Sequence, residues 1–170
     1  MTGPELAALT LEIALGELAA GATETGGNNR GPWVLKYMGP GMEGQPWCVG
    51  FTTWCYRQAC KRLGLDPVIR ERYSSSRLVR EAEALSLLRD PQADPARCAR
   101  DLRPGCFFIV RGGPTGYRHS GIVRSVDLGD DGAIKCIRTV EGNTHLPGQG
   151  GPDRVLSRYR SASGLVYVVV

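Results

Sequence analysis

The chain has 170 residues, 42% of them hydrophobic and 22% charged, with a formal net charge of +4. That is one ordinary domain, 1–170, large enough to bury a core and too apolar to be disordered. No apolar run approaches the roughly 20 residues of a membrane helix, and the basic residues are dispersed among acids, so neither membrane insertion nor a nucleic-acid footprint is expected.

Thr2-Gly3-Pro4-Glu5 reads as a capping box that opens a helix through about Ala20. The same segment lacks a basic leader, and Glu5, Glu12 and Glu17 interrupt its apolar residues, so a Sec signal is not expected. A Gly-rich loop, 21–31, leads to Trp33, Val34 and Tyr37, a short helix closed by Gly39-Pro40-Gly41. From Trp47 the spacing Cys48, Phe51, Cys55, Ala59, Leu63 follows one helical face, with Gly64 as its stop. Ser74–Ser76 caps a further helix whose buried stripe is Leu78, Val79, Ala82, Leu85 and Leu88, and 90–104, with three prolines, reads as irregular.

After Pro104-Gly105 the pattern turns to β. Runs at 106–110, 119–126, 133–140 and 165–170 are punctuated by turn residues, and Asp130-Asp131-Gly132 is a hairpin signal. Helices first and a meander afterwards predict an α+β fold.

The six cysteines form no C-x-x-C pair and only two histidines are present, which argues against structural zinc. Neither a metal nor another cofactor is expected. Free thiols are favoured over disulfides, with Cys55, Cys60 and Cys136 as packing residues.

Cys48 is different. At a helix start the macrodipole lowers a thiol's pKa, and peptide N–H groups there can hold an oxyanion. The base has to be His119 or His145, and His119 stands at the start of a strand behind a Gly-rich turn. One strand later, Glu141 and Asn143 are two apart and so on one strand face. If the Asp130 hairpin pairs the two runs, Glu141 or Asn143 lies beside His119, ready to accept its ring N–H. Glu141 is the first choice as orienter and Asn143 the second.

The stretches "PWCVGF", "RHSGIV" and "VEGNT" resemble the CHAP family, cysteine, histidine-dependent amidohydrolases and peptidases of bacterial peptidoglycan. The resemblance spans roughly residues 24–145, and "GLVYVVV" resembles the family's closing strand. It implies a papain-like fold, with the nucleophile at a helix N-terminus packed on an antiparallel sheet. It also implies Cys48 as nucleophile, His119 as base and Glu141 and Asn143 as orienters, with peptidoglycan as substrate. Cys106 stands where relatives often carry an aspartate after "PG". The calcium loop of some phage members is not evident, and "DLGDDG" at 127–132 reads as a hairpin turn.

Trp47 reads first as a packing residue and, as a neighbour of Cys48, also as a candidate cleft wall; Gln45 is a candidate oxyanion donor. A chain made in the cytoplasm without a Sec signal would reach the wall by lysis or injection, as a phage lysin or an antibacterial effector. An effector implies an immunity protein as partner. The competing readings are a transglutaminase- or deamidase-type toxin acting on a protein, and a catalytically silent wall-binding domain.

Overall fold

Helix α1 (Gly3–Ala19) opens with Pro4 and Glu5 in its first turn, where proline's missing N–H costs nothing and a carboxylate faces the positive end of the dipole. The computed structural model describes residues 3–148 and 150–170, so Thr2 of the expected capping box lies outside the described residues. Helix α2 (Pro32–Met38) ends at Gly39, whose φ of 89° suits only glycine well. Helix α3 (Cys48–Arg62) is the long central helix, and α4 (Ser75–Ala84) is capped by Ser74, whose hydroxyl accepts the Arg77 N–H at 3.3 Å.

Residues 90–104 are not irregular throughout. They hold α5 (Pro95–Asp101), capped by Asp94 accepting the Arg97 N–H at 2.9 Å, with Pro95 in the first turn. The three prolines mislead because one of them sits where helices tolerate proline best.

Six strands form one antiparallel sheet in the order β1-β6-β2-β3-β4-β5. They are β1 (Leu88–Arg89), β2 (Phe107–Arg111), β3 (Tyr117–Leu128), β4 (Ile134–Thr144), β5 (Arg154–Ser161) and β6 (Leu165–Val168). Leu88, expected in the α4 stripe, belongs to β1 instead. The fold is α+β, and β3 and β4 pair across the Asp130 turn as the hairpin signal predicts.

The sheet is apolar on both faces. Phe107, Ile109, Ile122 and Val140 pack toward Phe51, Cys55 and Tyr56 of α3. Phe108, Val123, Ile137 and Tyr167 form the opposite layer, closed by Cys98 and Leu102. All six cysteines are buried and unbridged. Among the described residues no helix is long and apolar enough to cross a membrane.

The approach of α3 to β4 depends on Gly142. A Cβ there would stand 2.7 Å from Phe51 Cβ and 2.7 Å from Trp47 Cζ3. Gly142→Ala is therefore expected to destabilise the fold by about 1–3 kcal/mol, the cost of overpacking. Chemical denaturation measures this, and an unchanged midpoint would mean that α3 is free to shift.

Candidate active site

The residue ahead of α3 is held from three directions. The Trp47 ring stacks on Tyr37 with centroids 5.5 Å apart, its Nε1–H donates to Glu24 Oε1 at 2.8 Å, and its backbone N–H donates to Asn143 Oδ1 at 2.9 Å. Trp47 is 0% exposed, so it is a packing anchor and not the cleft wall considered from sequence. Gln45 is exposed, and its amide has no hydrogen-bond partner among the described residues.

Cys48 begins α3 on one face of the sheet, whereas His119 projects from the other. Ser120 points to the α3 side, where its hydroxyl lies 3.3 Å from that of Thr52. By strand alternation His119 points away, with its ring 6.2 Å from that of Phe108 in the opposite layer. The two meet because the sheet is open between them. The β3–β4 ladder ends at Ile122–Val140; beyond it β3 pairs only with β2, and β4 only with β5. In the resulting notch the Cys48 thiol comes under the influence of His119 and of the Ser120 N–H.

Glu141 completes the line. Its Oε2 lies 2.9 Å from His119 Nε2. Glu141 is fully buried and fully partnered: Arg160 on β5 donates Nε–H to Oε1 and an Nη2–H to Oε2, both at 2.6 Å, and Thr139 donates to Oε1 at 2.6 Å. Burial pushes this carboxyl up, but Arg160 and His119 together bring it down to about 2. Burial likewise pulls His119 down, and its hydrogen bonds and charge attraction to Cys48 and Glu141 reverse that, raising it to about 9. For Cys48, burial pushes the thiol up; the His119 hydrogen bond and charge, with the N–H groups of Ser120 and Val49, outweigh it and leave the pKa lowered. The balance favours a thiolate–imidazolium pair. By contrast, burial raises Cys55, Cys60, Cys98 and Cys106.

Asn143 does not share Glu141's face. The β4–β5 register shifts between Glu141 and Thr144, and Asn143 sits in this bulge at a φ of 56°. A bulge breaks the two-residue alternation, and asparagine accepts the left-handed backbone more readily than most residues. Its side chain therefore turns to the Trp47 N–H, while Nδ2 donates to Asn29 Oδ1 at 3.0 Å and Asp153 Oδ2 at 3.0 Å. The second-choice orienter is thus a clamp on the residue before Cys48, with no hydrogen bond to His119 among the described residues.

Arg160 and the whole of β5 are absent from the sequence reading. Their signal is the alternation in "RVLSRYRS", which is weak because arginine occupies positions where a core strand would carry valine. His145 is exposed and held by Asp153, its Nδ1 2.7 Å from Oδ1. Among the described residues no group of three or more His, Cys, Asp or Glu is placed to hold a metal ion. No family model, curated protein or solved structure matches the chain.

The pairing has a defined pH window. Thiolate is lost as pH falls through the lowered Cys48 pKa, and imidazolium is lost as pH rises through about 9. Glu141→Gln removes the charge behind His119, so the upper limit should fall, the Cys48 pKa should rise, and any turnover should drop by about a hundredfold or more. Thiol alkylation rates against pH test this; superimposable profiles would detach Glu141 from the relay.

Asn143→Asp keeps the acceptor for Trp47 but removes the amide donor and sets a third carboxylate beside Glu24 and Asp153. It should lower the denaturation midpoint, and adding Asp153→Asn should recover part of the loss by removing one of the like charges. A loss that Asp153→Asn leaves unchanged would contradict the like-charge explanation.

Proposed function

We propose that this chain is a papain-like cysteine hydrolase that cleaves an amide bond in the stem peptide or cross-bridge of peptidoglycan. The observation that carries the chemistry is the Cys48–His119–Glu141 line, with a fully buried carboxylate behind the imidazole and the thiol in front of it. The resemblance of "PWCVGF", "RHSGIV" and "VEGNT" to the CHAP family supplies the substrate class.

In this mechanism the Cys48 thiolate attacks the scissile carbonyl carbon and the amide oxygen becomes an oxyanion. The first main-chain bond of α3 runs from the Phe51 N–H to the Trp47 carbonyl, so the N–H groups of Cys48 and Gly50 make no such bond. They are the candidate oxyanion donors. The intermediate collapses as His119 gives its proton to the leaving amine, forming a thioester on Cys48. Water then attacks this thioester with His119 as base, releasing the acid and regenerating the thiol. Glu141 holds the ring orientation throughout and remains ionised, with Arg160 fixing its carboxylate.

Access to the wall would come by lysis or by injection, and in the second case an immunity protein that fills the cleft is the expected partner.

The wild-type chain should reduce the turbidity of outer-membrane-permeabilised cells and release new amino and carboxyl termini from purified sacculi, identified by mass spectrometry of muropeptides. Cys48→Ala should abolish both while retaining the fold. Intact muropeptides, together with ammonia release from a protein glutamine donor, would replace the hydrolase reading with transamidation or deamidation.

A further inference from the structure

The His119 ring opens on a cleft of about 310 Å³, two of whose cations have no part in the relay. Its walls carry Arg118, Arg158 and Arg160 along with His119 and His145, against the single carboxylate of Asp153. Asp153 is already engaged, by Asn143 on one oxygen and His145 on the other. Arg160 spends its hydrogen bonds on Glu141. Arg158 reaches only a neutral group, donating to Thr144 Oγ1 at 2.9 Å, and among the described residues the Arg118 side chain makes no hydrogen bond. Neither has a carboxylate partner among the described residues.

Their placement is built into the sheet. The β2–β3 register steps from Val110–His119 to Arg111–Tyr117, which leaves Arg118 as the extra residue of a bulge directly before His119. Arg158 lies opposite Thr139 on the next strand but one. Two guanidinium groups without a carboxylate partner thus share with His119 the walls of one cleft, with the Glu141-bound Arg160 as a third, and its volume is near the lower end of the about 300–1,000 Å³ usual for ligands. A guanidinium fork presents paired N–H donors that match a carboxylate in two-point contact.

We infer that this cleft is a subsite for a free carboxylate on the substrate residue beside the scissile amide, read by Arg118 and Arg158. The inference deepens, and rests on, the hydrolase reading, because peptidoglycan stem peptides carry such carboxylates and some are found amidated. The subsite would then discriminate free acid from carboxamide at constant backbone.

The test uses the full chain with Cys48→Ala, so that binding is measured without turnover, and two probes: a stem tetrapeptide with free carboxylates and the same peptide with them amidated. Calorimetry should show the acid binding about tenfold tighter or more, as expected for losing one charge-assisted contact, with the difference shrinking as salt is raised. Arg118→Gln with Arg158→Gln should weaken the acid to the level of the amide and leave amide binding unchanged, which also reports that the variant is folded. Equal affinities for acid and amide would overturn the subsite. So would displacement by inorganic phosphate with no preference between the peptides, which would make it a phosphate site. The two readings separate in the wild-type chain. Hydrolysis of both peptides with equal KM would remove the subsite and keep the hydrolase. Discrimination in binding with neither peptide cut would remove the hydrolase and keep the anion preference.

Discussion

The site exists because two neighbouring strands stop pairing. An antiparallel ladder carried past Ile122–Val140 would turn the Ser120 N–H to β4 and seal the sheet between α3 and His119. Instead the ladder ends, the Ser120 N–H is left free of β4, and Cys48 on one face comes under the influence of the His119 charge from the other. Both strands bulge close to the reactive residues, β3 at Arg118 and β4 around Asn143. Bulges commonly re-aim side chains in this way. Here one directs a cation to the cleft and the other directs an amide to the residue before Cys48.

The energetic difficulty of the arrangement is the fully buried carboxylate of Glu141. Left with His119 alone, it would face a desolvation cost of several kcal/mol in each state where the imidazole is neutral. Arg160 removes that dependence on the proton, since its guanidinium meets both carboxylate oxygens whether or not the imidazole is protonated. The Arg160 guanidinium carbon also lies 5.4 Å above the Phe108 ring centroid, which helps hold the fork in place. His119 can then gain and lose its proton without the carboxylate having to follow.

How much of this could be read from sequence depended on whether a residue's role was local. The α3 stripe and the Asp130 turn are local signals, and together they place Cys48 at a helix start and bring Glu141 to His119. The capped helix Pro95–Asp101 is also local, and its Asp94-Pro95 opening was obscured by reading the prolines together. Asn143 failed for another reason: strand alternation is a rule for unbroken strands, and the bulge at 143 follows from clamping Trp47, a contact 96 residues distant in the chain. Strand β5 was invisible because its inward positions satisfy Glu141 and line a polar cleft, so it lacks the apolar period by which strands are recognised. Arg160 has meaning only once Glu141 is known to be buried.

The six buried, unbridged cysteines also bear on where the chain can work. Its fold owes nothing to an oxidant, so a change between reducing and oxidising surroundings would neither complete nor break a covalent framework. Oxidation would fall first on one atom. Oxidants attack thiolates, and Cys48 is the sulfur that its surroundings hold toward that form, whereas burial holds Cys55, Cys60, Cys98 and Cys106 toward the thiol. Peroxide would convert Cys48 first to a sulfenic acid, and further oxidation would be irreversible at that sulfur while the rest of the fold persisted.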